Sequence, residues 1–394
     1  MNPHHYAVVV GITQYPGGFR PLAGPVNDAE AFYQWLIDPE QGGVPEDNAK
    51  LVITPGDRPV MTLADASPSK EAVDDALWEV TERARTAMAA VPEEEQAAAR
   101  ECSRLYLYGA GHGIMPGTGE AALLTAKAAT GRLDNVELRA YRDWYALDGT
   151  FAEVCIFADC CRTFQLLATP GVPNFNRPGE IGGTVFSLIG YATAPGKLAF
   201  EDTDESVPPD NRRGYFSRAL IDGLRGAATD PDSGYVSSWT LANHVSRLVP
   251  QLTDGLPKHL SQTVSMPVEP HHLLFFGPRR ARTGTGTTPG KAPQCQSGMA
   301  SATPATLPAT EVFHKVVIHF PANFSAPVEL EVPDGQRMYW QPTDGPWTIN
   351  LREGVYVIFR AGTNYDAAGL ANSGAFEVAG RPSGVKARHF DVRL

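Results

Sequence analysis

A chain of 394 residues with 43% hydrophobic and 20% charged side chains has room for two folded domains, and its composition excludes a fibrous or wholly disordered protein. A net charge of −11 argues against the basic patch of a nucleic-acid binder and fits a soluble protein with a mild preference for basic peptides. Five cysteines, an odd count without paired spacings, do not indicate a disulfide framework. The first apolar run, Tyr6 to Ile12, is too short for a membrane span and lacks the basic start of a signal peptide, so a cytoplasmic location away from membranes is expected.

In chain order, residues 6–12 read as a buried strand and Pro16-Gly17-Gly18 as a loop. Asn27-Asp28-Ala29 opens a helix whose Ala31, Phe32, Trp35 and Leu36 share a face, with Asn27 or Asp28 as its N-cap. Lys50 to Ile53 is a second strand, and residues 69–100 carry one or two surface helices. Leu105-Tyr106-Leu107-Tyr108 and Val154-Cys155-Ile156-Phe157 are strands, followed by a strand over Phe186 to Tyr191. Helices are predicted over Tyr215 to Leu224 and Ser237 to Leu252, and His272 to Phe276 closes the core. The pairs His4-His5 and His271-His272 are expected on the surface, and the acidic run Glu201 to Glu205 as a solvated loop.

Strands separated by helices imply an α/β fold, a mostly parallel sheet flanked by helices on both faces. The composition then shifts to Gly, Thr, Ser, Pro and Ala. The expected organisation is an α/β domain over residues 1–277, a flexible linker over 278–310 and a small all-β sandwich over 311–394, read as a binding or regulatory module.

Two segments carry the chemistry: Tyr108-Gly109-Ala110-Gly111-His112-Gly113 and Phe157-Ala158-Asp159-Cys160-Cys161-Arg162. His112 and Cys161 each stand just past a predicted strand, 49 positions apart, in the order and at the interval of a caspase-type His/Cys dyad. Ligands of parallel sheets bind off these carboxyl ends. Strand alternation puts Asp159 and Cys161 on one face and turns Cys160 into the packing, which favours Cys161 as nucleophile. His112 would take the thiol proton and return it to a leaving amine, and the N–H groups of Gly113 and Cys161 are candidates for an oxyanion hole. A zinc site is the competing use of clustered Cys and His, but no C-x₂-C or H-x₃-H pair supports it.

With those residues in hand, the first 277 positions resemble the caspase-like cysteine peptidases of the caspase/metacaspase superfamily, particularly the bacterial branch. The similarity runs through YAVVVGITQY, LAGPVNDAEAFYQWL, LYLYGAGHG, FADCCR, IGYATAPGKLAFED and YFSRALIDGLRG. The resemblance implies His112 and Cys161 as the catalytic dyad and Asp28 and Asp159 as the acidic lining of the S1 pocket. Two carboxylates suit a P1 Arg or Lys. It also implies a zymogen that an upstream activator or activating protease matures, acting on protein or peptide substrates with basic cleavage sites in stress, cell death or antiphage defence.

Arg212-Arg213 and the linker residues Arg279, Arg280 and Arg282 are the expected self-processing sites. Ala110 stands where many metacaspases carry Ser. Some members need calcium, but no EF-hand-type loop is present, so neither cofactor nor metal is expected. Acidic P1 specificity through Arg20, and a caspase-fold scaffold without protease activity, are the alternatives left open.

Overall fold

The computed structural model describes residues 2–278 apart from 57–59, 118–119, 176–183, 203–207, 209–210, 232, 255–261 and 269–271, and beyond them only the strands between 314 and 391. The chain divides into two compact units, Met1–Ser301 and Ala302–Leu394. The expected linker lies outside the described residues save for Pro278.

In the first unit the elements follow as β1 (His5–Gly11), α1 (Gly24–Ile37), β2 (Ala49–Ile53), α2 (Lys70–Ala89), α3 (Glu93–Glu101), β3 (Arg104–Ala110), β4 (Gly113–Pro116) and β5 (Ala122–Leu124). Then come β6 (Asn135–Glu137), α4 (Leu138–Asp148), β7 (Glu153–Asp159), β8 (Thr163–Gln165), β9 (Phe186–Tyr191), α5 (Tyr215–Asp222), β10 (Val236–Ser237), α6 (Ser238–Leu252) and β11 (Phe275–Phe276). A five-stranded sheet in the order β2-β1-β3-β7-β9 is parallel throughout. All residues of β1, β3 and β7 are buried, which explains why they read as continuous apolar runs.

Alternation along the strands divides the core. Tyr6, Val8 and Val10 join Leu77 and Val80 of α2 and Tyr141 and Tyr145 of α4 on one face. Ala7 and Val9 join Phe32 and Trp35 of α1, Phe216 and Leu220 of α5 and Leu241 and Val245 of α6 on the other. Helices therefore cover both faces, as the alternation of strands and helices implies. A smaller four-stranded sheet, β6-β5-β4-β8, begins where β3 ends.

Several local expectations are corrected. The α1 helix starts at Gly24 with Ala23 in the cap position and no side-chain cap, so neither Asn27 nor Asp28 caps it. The segment expected to close the core does so through buried Leu274 and Phe276, with Phe275 and Phe276 paired antiparallel to β10. His5 is buried, with Tyr106 edge-on at 5.9 Å, and is no surface residue. His271 lies outside the described residues, and His272 stacks on Phe186 with ring centroids 3.3 Å apart.

The second unit contains β12 (His314–His319), β13 (Val328–Glu331), β14 (Arg337–Trp340), β15 (Trp347–Leu351), β16 (Gly354–Arg360), β17 (Ser373–Val378) and β18 (Arg388–Asp391). They form the sheets β15-β12-β18 and β14-β13-β16-β17, antiparallel except where β12 meets β18.

Candidate functional site

The register of the parallel sheet builds the site. Ala110 at the end of β3 lies opposite Asp159 at the end of β7, and His112 and Cys161 each follow two residues later. Both line a cleft of about 320 Å³ together with Arg20, Leu22, Pro25, Asp28, Ala110, Gly111, Asp159, Gly214 and the segment 198–201. Four of the five predicted site residues are thus brought together. The fifth, Gly113, opens β4 beside them.

His112 is held from three sides. Its backbone N–H donates to the Tyr15 hydroxyl at 2.9 Å, and that hydroxyl reaches the Leu124 carbonyl at 3.3 Å. The phenol therefore fills the gap in the ladder between the start of β4 and the end of β5. The rings of Tyr15 and Phe19 lie 4.7 and 5.7 Å from the imidazole. Nε2 sits 2.8 Å from the Arg20 carbonyl, which can only accept, so Nε2 carries the proton and Nδ1 keeps its lone pair. Burial lowers the imidazole pKa below its ordinary value, the Arg20 charge adding to the effect against its own carbonyl and Glu201. The shift holds His112 toward the neutral imidazole.

The two neighbouring thiols differ. Cys160 is buried, while Cys161 is half-buried at the cleft. A Cβ at Gly113 would lie 2.5 Å from both Cys160 Sγ and the Cys161 carbonyl, so only glycine lets β4 pack onto this corner. Leu124 N–H bonds the His112 carbonyl at 2.9 Å, and Gly113 lies opposite Leu123. Gly113–Leu123 is therefore a non-hydrogen-bonded pair, with the Gly113 N–H turned away from β5. Burial raises the Cys161 thiol above its ordinary range, the Asp159 charge adding to it, while the Ala199 N–H and Arg20 oppose it. Sγ lies 3.4 Å from that N–H and 3.6 Å from the Ala199 carbonyl. Burial thus holds Cys161 toward the protonated thiol.

The segment 196–199 is tied to the chain beyond Cys161 by Arg162 N–H to the Lys197 carbonyl at 2.9 Å and Gly196 N–H to the Arg162 carbonyl at 2.8 Å. The fully buried Arg162 guanidinium caps this corner, 4.1 Å from the Tyr191 ring centre and ion-paired with Glu120.

The acidic side of the cleft is built on α1, β7 and the start of α5. Asp28 Oδ2 accepts from Gly214 N–H at 2.7 Å, and Oδ1 is ion-paired with Arg213. Asp159 Oδ2 accepts from the Ser217 N–H at 3.0 Å and its hydroxyl at 2.5 Å. Gly214 runs between the two: a Cβ there would collide with Asp159 Oδ2 and lie 3.1 Å from Asp28 Oδ2. Burial pushes the Asp28 carboxyl up to about 8, with the Asp159 charge adding and Arg213 opposing. Burial likewise pushes Asp159 up to about 6, against the two Ser217 bonds. Among the described residues no group of three or more His, Cys, Asp or Glu is arranged to hold a metal, and no helix is long and apolar enough to cross a membrane.

The sequence profile of the caspase domain family matches residues 4–268, about two thirds of the chain. The chain belongs to the caspase-domain family. A probable protease from a Desulfuromonadales bacterium is 27% identical over 252 residues, a match spanning 60% of this chain and 28% of that protein's length. Among solved structures, caspase-1 of Spodoptera frugiperda aligns at 14% identity with a TM-score of 0.41, covering 67% of this chain and 86% of that one. A protein from Geobacter sulfurreducens aligns at 14% identity with a TM-score of 0.36, covering 67% and 92%.

Within the caspase domain, sequence reasoning gave no role to Tyr15, Gly214, Ser217 or Arg162. Glu201 was expected to be solvated with the rest of its acidic run. Instead its carboxylate accepts from Gly24 N–H at 2.6 Å and Ala23 N–H at 3.1 Å, capping α1 from a distant segment. Asp202 N–H donates to the Arg213 carbonyl at 3.0 Å, and residues 203–205 lie outside the described residues. Tyr15 stands inside the quoted GITQY text, the one signal that could have singled it out.

Proposed function

We propose that the chain is a caspase-like cysteine endopeptidase that cleaves peptide bonds after basic residues, Arg above all. The observation that carries this reading is the single cleft lined by His112, Cys161, Asp28 and Asp159. His112 Nδ1 removes the Cys161 proton as sulfur attacks the scissile carbonyl, and the imidazolium then gives it to the leaving amine. The thioester is hydrolysed by water with His112 again as base. The N–H groups of Gly113 and Cys161 receive the oxyanion, each such donor being worth on the order of 3 kcal/mol in other proteases. Asp28 and Asp159 receive the P1 guanidinium. The burial that raises both carboxyls makes a cationic side chain the partner that restores their charge.

Arg20 at the cleft rim favours one other reading, a protease with acidic P1 specificity. Matched fluorogenic peptides with P1 Arg, Lys and Asp separate the two, assayed with and without calcium and after limited trypsin treatment. Turnover of the Arg peptide that vanishes in Cys161→Ala is expected. Cleavage after Asp alone would replace the basic pocket by the acidic reading, and no turnover in any state would favour a scaffold. The family resemblance supports a regulated role in stress, cell death or antiphage defence, with the β unit selecting substrates or answering an activator.

A further inference from the structure

Asp28, on the acidic side of the cleft, already has a guanidinium partner, and it belongs to the chain itself. Arg213 Nε is bonded to Asp28 Oδ1, and the next residue, Gly214, takes the other oxygen through its N–H. Both acceptor atoms of Asp28 are therefore occupied without any substrate.

The attachment is incomplete. Arg213 Nη2 is buried and has no hydrogen-bond partner among the described residues, so the fork is not used as a fork. A buried donor left unbonded forfeits its hydration without return. A guanidinium entering from the cleft could bond Asp28 and Asp159 together and leave no such loss.

The backbone that carries Arg213 is anchored separately from its side chain. Asp202 N–H bonds the Arg213 carbonyl at 3.0 Å, Tyr215 N–H the Phe200 carbonyl at 3.2 Å, and Asn27 Nδ2 the Arg212 carbonyl at 2.9 Å. Glu201, within the same bridge, holds the N-terminus of α1. The Arg213 side chain is 22% exposed and can leave Asp28 by rotation about its own bonds while this bridge stays in place.

We propose that Arg213 is an internal partner of the S1 carboxylate Asp28, a stand-in for the P1 guanidinium that a basic substrate must displace. The proposal rests on the basic-P1 reading of Asp28 and Asp159. It also makes Arg213 a specificity device. An arginine substrate offers a two-pronged replacement for a one-pronged occupant, whereas a lysine offers one compact ammonium and gains little by the exchange. The occupied pocket discriminates Arg from Lys more strongly than two bare carboxylates would.

The test uses the full chain at pH 8 with benzamidine as probe, its binding measured calorimetrically to the wild type, Arg213→Ala and Arg213→Met. P1 Arg and P1 Lys peptides are assayed in parallel. The expected result is at least tenfold tighter benzamidine binding in both variants, a similar fall in KM for the Arg peptide with kcat little changed, and a smaller Arg-to-Lys preference. Arg213→Met keeps a stem of similar reach without a donor for Asp28, so it serves if the alanine variant does not fold. Equal or weaker benzamidine binding in a folded variant would overturn the proposal and make Arg213 a structural countercharge. So would an absence of benzamidine binding in all three proteins. Tighter binding without turnover of any peptide would keep the occupant and remove the protease. Turnover after Arg with unchanged benzamidine affinity would do the reverse.

Discussion

At the scale of single residues, the site is set by which groups are neutral at rest. Burial raises Cys161 and lowers His112, which favours thiol and imidazole over thiolate and imidazolium. A neutral alkylating agent reads this directly, because only the thiolate reacts. The groups facing Sγ are Asp159, which raises its pKa, and Arg20 and the Ala199 N–H, which lower it. Desolvation outweighs the last two, so the thiolate fraction stays small at neutral pH. Iodoacetamide labelling of Cys161, followed by peptide mass spectrometry, is expected to climb steadily with pH toward and past 9. A plateau of fast labelling between pH 6 and 8 would mean that the dyad rests as an ion pair. Cys160, pushed far upward by burial, is expected to stay unlabelled in the folded protein and to serve as the internal control.

At the scale of elements, α1 depends on a residue far away in sequence. It has no side-chain N-cap and no acid in its first turn, with Pro25 near its start. Glu201 supplies both acceptor and charge through Ala23 and Gly24. Glu201→Gln is expected to lower unfolding stability by about 1 kcal/mol, measured by urea titration. The difference should narrow at 1 M salt, where the interaction of charge with helix is screened; a difference independent of salt would assign the loss to hydrogen-bond geometry alone. This arrangement is also why the start of α1 was illegible. Local sequence points to a cap at Asn27 or Asp28, whereas the real cap is contributed by tertiary structure. The strands were legible because burial on both faces leaves continuous apolar runs such as Tyr6 to Val10. α4 was not, since Arg139, Arg142 and Asp143 interrupt it and its buried stripe is narrow: Leu138, Tyr141, Tyr145 and Asp148.

At the scale of the whole molecule, the site follows from the parallel sheet. Strands β3 and β7 are neighbours that end on the same rung, so two short motifs 49 positions apart deliver His112 and Cys161 to one cleft. That much can be read from strand-end motifs and the crossover rules of parallel sheets. Arg213, Glu201 and Tyr15 come from irregular segments with no period to betray them, and only the folded chain brings them to the same place. The architecture also bears on the C-terminal unit. Both hydrophobic layers of the caspase domain are assembled from residues between Tyr6 and Phe276, and β11 closes its edge against β10. A chain ending at Ser301 therefore contains every described core residue of that domain. It is expected to unfold cooperatively, within a few degrees of the corresponding transition in the full chain, and to keep the pH dependence of Cys161 labelling. Differential scanning calorimetry of the two proteins checks the first point and iodoacetamide labelling the second. If the shorter chain cleaves P1 Arg peptides with an unchanged KM and a changed kcat, the β unit acts on catalysis and not on the pocket. A truncated protein that is soluble but melts without a cooperative transition would show that residues beyond Ser301 are part of what holds the caspase fold together.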